Sequence, residues 1–319
     1  MSQATSRSSR HLAGARFRFA ETSGILATIV RTAPIIISVA ILPLMVSCAG
    51  PRTALPSEEV LKNAALTAPG IQSAEFTVNA TLHEILPGFA PVTLQTDGIL
   101  TDGGHQLLFD FDASTTMPGI DESNRLKGSV AVGGEDDVYM RFDLIEGLVL
   151  QAIVGPDAAS AWVGRWWKLP SQNAETTPAI TPDPSVLHMQ SQVLRVVQDL
   201  GIESFEGADV YHYEVEIDQA KLRAYLQSVL EARGEPVDAV VLDQQAASIA
   251  GSGDVWIDAD AFYLRRVRWS LRNPTNPHGF RAEIDARLNS FNAAGPIELP
   301  VEADPFPINV DQLLQQPTP

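Results

Sequence analysis

The feature that most restricts this chain is a repeated alternation of apolar and polar residues with a period of two. Phe76, Val78, Ala80 and Leu82 are separated by Thr77, Asn79 and Thr81. Leu107, Phe109, Phe111 and Ala113 are separated by Leu108, Asp110 and Asp112, and Val138, Met140, Phe142 and Leu144 by Tyr139, Arg141 and Asp143. Tyr211, Tyr213, Val215 and Ile217 interleave with His212, Glu214 and Glu216, and Phe280, Ala282, Ile284, Ala286 and Leu288 with charged residues. Successive side chains of a strand point to opposite faces, so each segment reads as a strand with one buried and one wet face. Less regular runs at 92–100, 130–132, 254–258 and 262–271 extend the series. Asp102-Gly103-Gly104 and Gly133-Gly134 supply turns between strands. One-sided burial of this kind belongs to an antiparallel meander.

Helical spacing interrupts the series. Ser57 is placed to cap a helix with Glu58 and Glu59 in its first turn and Val60, Leu61, Ala64 and Ala65 on one face. Val186, Met189, Val193, Leu194, Val197 and Leu200 predict an amphipathic helix over 185–200, ended by Gly201. It follows a Pro/Thr-rich loop at 171–184. Asp218 is placed to cap another helix, carrying Leu222, Tyr225, Leu226, Val229 and Leu230 and stopping at Gly234, and 237–249 reads as helical. Gly251-Ser252-Gly253 reads as a loop into the next strand. The order predicts one α+β domain over 57–299, a curved antiparallel sheet with helices on one face, and an irregular tail over 300–319.

The N-terminal region has a different character. Arg7, Arg10, Arg16, Arg18 and Arg31 face a single acid, Glu21, and an uncharged run fills 32–47. A basic head, an apolar stretch and a small residue before the break are the parts of an export signal. The break reads Met45-Val46-Ser47-Cys48, which resembles a bacterial lipobox, with Met where Leu is usual. The resemblance implies removal of 1–47, acylation of Cys48 (palmitate among its chains) and a tether over 48–56. Cys48 is the one cysteine of the 319 residues, so no intrachain disulfide forms. The formal net charge of the whole chain is −17, and the part after Cys48 is more acidic still. That disfavours nucleic acid as a partner.

A family resemblance follows from the order of segments. A capped helix leads through Ser73-Ala74-Glu75-Phe76-Thr77-Val78 into a strand. Then come Trp167-Lys168-Leu169-Pro170, a loop and helix over 181–200, the strand 210–217, and Val255-Trp256-Ile257-Asp258 shortly before Tyr263-Leu264-Arg265-Arg266-Val267. This resembles the LppX/LprAFG family of bacterial lipoproteins and, more distantly, the LolA-like lipoprotein carriers. The resemblance implies a half-barrel sheet whose concave face is covered by helices and holds a hydrophobic cavity. It implies a lipid-anchored protein on the extracytoplasmic side of the cell membrane, binding an acylated lipid or glycolipid and carrying it within the envelope, with an envelope transport partner. Phe76, Val78, Phe109, Phe111, Met140 and Phe142 are the cavity candidates from the strands, and Val193, Leu194 and Val197 from the facing helix. The same residues equally suit a close-packed core. A non-catalytic binding or sensor module that contacts another envelope protein is the alternative.

No catalytic, metal or cofactor motif is read in the sequence. His212 alternates with Glu214 on a wet strand face, Asp258 and Asp260 suit a turn, and the glycines around Ser252 stand too close for a nucleophile elbow. Two groups have two readings each. Trp162, Trp166 and Trp167 form either a mouth or a sheet corner. Arg265, Arg266, Arg268 and Arg272 either meet an anionic headgroup or offset local acids.

Overall fold

The structure, a computed structural model, describes residues 55–84, 90–117, 119–133, 137–147, 156–169, 193–232, 234, 236–276 and 279–306. Cys48, its leader, the loop at 171–184 and the first part of the expected helix at 185–200 lie outside the described residues.

Among the described residues twelve strands form a single open sheet. They are β1 (Ala74–His83), β2 (Val92–Thr101), β3 (Gln106–Met117), β4 (Ile120–Val132), β5 (Val138–Glu146), β6 (Trp166–Lys168), β7 (Leu194–Phe205), β8 (Ala208–Ile217), β9 (Ala250–Asp258), β10 (Leu264–Arg272), β11 (Arg281–Asn289) and β12 (Asp304–Pro305). Their order is β12-β6-β5-β4-β3-β2-β1-β11-β10-β9-β8-β7, so β1 pairs the far strand β11 and joins two meanders. Every pairing is antiparallel except β12 with β6. The helices are α1 (Ser57–Thr67), α2 (Pro156–Trp162), α3 (Gln219–Ala232) and α4 (Ala239–Ala247).

Alternation sorts the residues onto two faces, and the register carries each face across the strands. Phe76, Val78, Ala80 and Leu82 stand opposite Leu288, Ala286, Ile284 and Ala282 of β11. Those continue into Val267, Trp269 and Leu271 of β10. From α1, Val60 and Ala64 join the core that these residues form with Tyr213, Val215 and Val255. A smaller cluster at the other end holds Phe142, Trp162 and Trp167, packed by Phe111, Met140 and Phe306.

The helix expected over 185–200 is corrected where it is described: residues 194–200 are strand, the first half of β7. Leu194 and Val196 face the core and Arg195 and Val197 face away, with Val197 51% exposed. The run Leu-Arg-Val-Val fits either period when read locally, and the ladder offered by β8 decides it. Val193, Leu194 and Val197 therefore belong to or adjoin an edge strand and not a facing helix. Gly251-Ser252-Gly253 lies inside β9 and not in a loop, because Cβ atoms at both glycines would strike β10, at Leu271 and at the Arg268 carbonyl. Part of the tail expected to be irregular adds β12 to the sheet. Pro56, not Ser57, occupies the cap position of α1, where no side chain caps the helix. Asp218 does cap α3, accepting from the amides of Ala220 and Lys221 at 3.0 and 3.1 Å. Asp238 caps α4 in the same way.

Candidate functional site: the apolar face and the cleft at its edge

The six strand candidates fall into two adjacent rows on one face. One row runs Phe76–Gly98–Phe109–Val130–Met140–Trp167. The next runs Tyr213–Val255–Val267–Ala286–Val78–Thr96–Phe111–Gly128–Phe142. Glycine is required where rings cross strands. A Cβ on Gly98 would lie 2.5 Å from Phe109 Cβ and 2.6 Å from Phe76 Cζ, and one on Gly128 would lie 2.0 Å from the Arg141 carbonyl and 3.0 Å from Phe111 Cζ. The two phenylalanines of the first row approach with ring centroids 6.4 Å apart.

The face is filled unevenly. On β8 to β11, Tyr213, Val215, Val255, Ile257, Val267 and Ala286 are at most 2% exposed. On β2 to β5, Leu94, Phe109, Phe111, Leu126, Val130 and Met140 are only half-buried. Apolar surface left partly in water at the centre of a large sheet is surface that an apolar ligand can cover.

A cleft of about 750 Å³ opens at the β7 edge of this face. Leu61 and Ala65 of α1 form one wall, Leu194 and Val196 of β7 the floor, and Ala224 and Tyr225 of α3 the other wall. Lys62 and Lys221 stand in it with Glu58 and Asp199, whereas the Arg195 guanidinium turns away to Glu216, and the Lys221 ammonium donates to the Leu194 carbonyl at 3.0 Å, tying α3 to the strand. Of the helix-side candidates only Leu194 lines the cleft. Sequence periodicity placed Leu61 and Tyr225 on apolar helix faces but gave no sign that they and Val196, from three separate segments, come together.

The opposite face holds a trough of about 1000 Å³ with a polar lining that reaches from Arg125 on β4 to Glu214 on β8. Asp112, Glu214, Asp254, Glu283 and Asp285 outnumber Arg125 and Arg268 there, so it repels an anionic headgroup and offers nothing to an acyl chain. Two members of the arginine group, Arg265 and Arg266, pair with local acids. Arg265 meets the buried Asp258 at 2.6 Å, and Arg266 donates from Nε to Asp285 at 2.9 Å and lies over the Trp256 ring. His212 stacks on Trp256 with centroids 4.3 Å apart, its two nitrogens taken up by Glu203 and Asp254 at 3.2 and 3.1 Å. Asp258 Oδ1 accepts from the amides of Asp260 and Ala261, the turn expected there. Trp162 and Trp167 are buried, with Trp167 Nε1 donating to the Trp162 carbonyl at 3.0 Å, so they form a corner of the sheet.

No family model matches the chain, and no curated protein matches its sequence. Solved structures similar to it include members of the group its sequence resembles. The lipoprotein LppX of Mycobacterium tuberculosis is 16% identical over 76% of this chain and 100% of its own, with a TM-score of 0.38. LprF from Mycobacterium bovis is 14% identical over 78% of this chain and 100% of its own, with a TM-score of 0.39. A LolA superfamily protein from Nitrosomonas europaea is 12% identical over 73% and 92%, with a TM-score of 0.23. All three TM-scores fall below 0.5, and function is read from this chain's own faces.

Proposed function

We propose that this chain is a membrane-anchored extracytoplasmic lipoprotein that binds an acylated lipid or glycolipid on the apolar face of its sheet and carries it within the cell envelope. The observation that carries the reading is the uneven filling of that face: one half is sealed, the other is half-buried, and a cleft opens at its edge. Each CH₂ moved from water onto such a surface contributes about 0.8 kcal/mol, so a long acyl chain binds without any catalytic residue, metal or cofactor. Val78, Phe109, Phe111 and Met140, left half-buried, are the surface for the chain, while Phe76 and Phe142 are packed into the two core clusters behind it, and Leu194 stands at the entrance. On this side α1 packs against the sheet through Val60 and Ala64. The export signal over 1–47 is removed, Cys48 carries the anchor, and the tether over 48–56 joins it directly to α1, which places the cleft near the membrane. No helix among the described residues is long and apolar enough to cross a bilayer.

One observation favours a second reading. Val197, Leu200 and Ile202 are exposed on the open edge strand β7, a surface on which another envelope protein can dock, as a transport partner or as the target of a sensor.

The test is mass spectrometry of the full chain purified from its own membranes, run native and after organic extraction. The expected result is an acylated Cys48 and a stoichiometric lipid. Cys48→Ser then releases the protein from the membrane, and Val196→Trp, which fills the cleft, lowers lipid occupancy with the fold retained. A protein that comes out empty from native membranes and takes up no lipid overturns the carrier reading and moves the search to the β7 edge.

A further inference from the structure

The last described residues deliver the chain onto the open half of the apolar face. In β12, Asp304 stands opposite Trp167 of β6 and Pro305 opposite Lys168. The Phe306 amide then donates to the Lys168 carbonyl at 2.9 Å. The Phe306 ring turns onto the apolar face, its centroid 5.3 Å from that of Trp162 and 6.2 Å from that of Trp167. There it joins the cluster that the half-buried Phe111, Leu126 and Met140 also pack against. Pro307 has no N–H to offer, so the ladder with β6 is not prolonged through its amide.

The residues that follow suit that face. Ile308, Val310, Leu313 and Leu314 are apolar, and Asp311 is the single charge between 307 and 319. In extended form, residues 307–314 reach about 26 Å. From β6 across β5, β4 and β3 to β2 is four strand spacings, about 19 Å. The apolar part of the segment is therefore long enough to cross every strand of the open half. The other half, on β8 to β11, is already filled by its own side chains.

We propose that residues 307–314 lie across the half-buried part of the apolar face, over Met140, Leu126 and Phe111, when no lipid is bound, and that an acyl chain displaces them. The displacement rests on the lipid-binding reading; the docking does not. Apolar surface leaves water in both states, first against Ile308, Leu313 and Leu314 and then against the acyl chain. A segment tethered at Phe306 has a millimolar effective concentration, so an intrinsic Kd of ~0.1 mM covers the face about ten to one. It shields apolar surface between cargoes and lowers the apparent affinity for lipid by the same factor, which favours release.

The experiment compares the delipidated full chain with one that stops after Phe306. Hydroxyl-radical labelling read by mass spectrometry measures the exposure of the Met140 thioether, and titration with hexadecanoate measures acyl-chain affinity. Without residues 307–319, Met140 labelling rises severalfold and hexadecanoate binds about tenfold tighter. The peptide 307–319, added in trans at millimolar concentration, reverses both. Leu313→Asp in the full chain moves both readings the same way and decides alone if the shortened chain fails to fold. Unchanged Met140 labelling overturns the docking, whatever the hexadecanoate does. Raised labelling with unchanged hexadecanoate affinity overturns the displacement. Raised labelling in a protein that takes up no hexadecanoate in either form keeps the docking and overturns the lipid-binding reading instead.

Discussion

Phe111→Ala separates a cavity wall from a core residue. The ring lies over Gly128 on β4 and packs against the Phe142–Trp162–Trp167 cluster, yet it remains half-buried. In a closed core, truncating phenylalanine to alanine costs about 3–5 kcal/mol, because the transfer free energy and the cavity left behind add. A ring whose outer side faces a ligand site loses only the packed half in the lipid-free protein, about 1.5–2.5 kcal/mol on the same scale. The other half is lost from lipid binding. At about 25 cal/mol per Å² over the ~50 Å² of ring that the ligand covers, that is roughly 1 kcal/mol, or about a fivefold drop in affinity. Urea unfolding of the delipidated protein reads the first number and lipid titration the second. Val267→Ala, on the sealed half at 0% exposure, is the control, expected to lower stability without touching lipid affinity. A loss of 3–5 kcal/mol at Phe111 with lipid affinity unchanged refutes the division of the face into sealed and open halves.

Two further outcomes follow from particular contacts. Gly98→Ala brings a methyl group to 2.5 Å from both the Leu108 carbonyl and Phe109 Cβ. The overpacking cost of about 1–3 kcal/mol outweighs the ~0.4–1 kcal/mol that alanine gains through the unfolded chain, so the urea midpoint falls, and an unchanged or higher midpoint contradicts the close crossing of Phe76 and Phe109. Asp112 is held at about 2 by its hydrogen bond and charge pairing with Arg125, with Lys127 adding to both. Because the folded-state value is lowered, the stabilisation is complete above about pH 4 and is lost as pH falls toward 2. The pair is partly exposed, so the effect is at most about 1 kcal/mol. The difference in unfolding midpoint between wild type and Asp112→Asn, followed from pH 5 to pH 2, shrinks toward the acid end, and a difference that stays constant removes Asp112 from the account.

Chemistry separates the two faces as clearly as geometry does. The trough on the polar face is larger than the cleft, but hollow volume alone does not select a ligand. Among its carboxylates Asp112 and Asp285 are paired with arginine within the sheet, Asp254 meets His212, and Glu283 stands in solvent. The cleft opens instead beside the apolar face, between Leu61, Val196 and Tyr225, and that lining favours a ligand that is mostly hydrocarbon.

What the sequence determined by itself is what repeats locally. Strand periodicity depends on neighbours two residues apart, so the strands around Phe76, Phe109, Met140, Tyr213 and Ile284 were legible, and with them the apolar face that holds the six strand candidates. Capping depends on neighbours two and three residues apart, so Asp218 was legible at the start of α3. The export-signal boundary expected at Cys48 is a local pattern of the same kind and lies outside the described residues. Tertiary structure decided the rest. Residues 194–200 satisfy helical spacing and strand spacing almost equally, and only the ladder of β8, more than ten residues further on, settles them as strand. Pairing of β1 with β11 spans about two hundred residues and has no local signature, yet it makes two meanders into one sheet. Whether an apolar residue is sealed or left half-open depends on what stands above it, not on its own identity: Val267 and Val130 read alike in sequence, and only packing makes the first a core residue and the second a candidate wall. That Tyr213 and Trp269 find no hydrogen-bond partner among the described residues is likewise a property of assembled neighbours, because a tyrosine or tryptophan in a strand says nothing about which acceptors the fold brings near it.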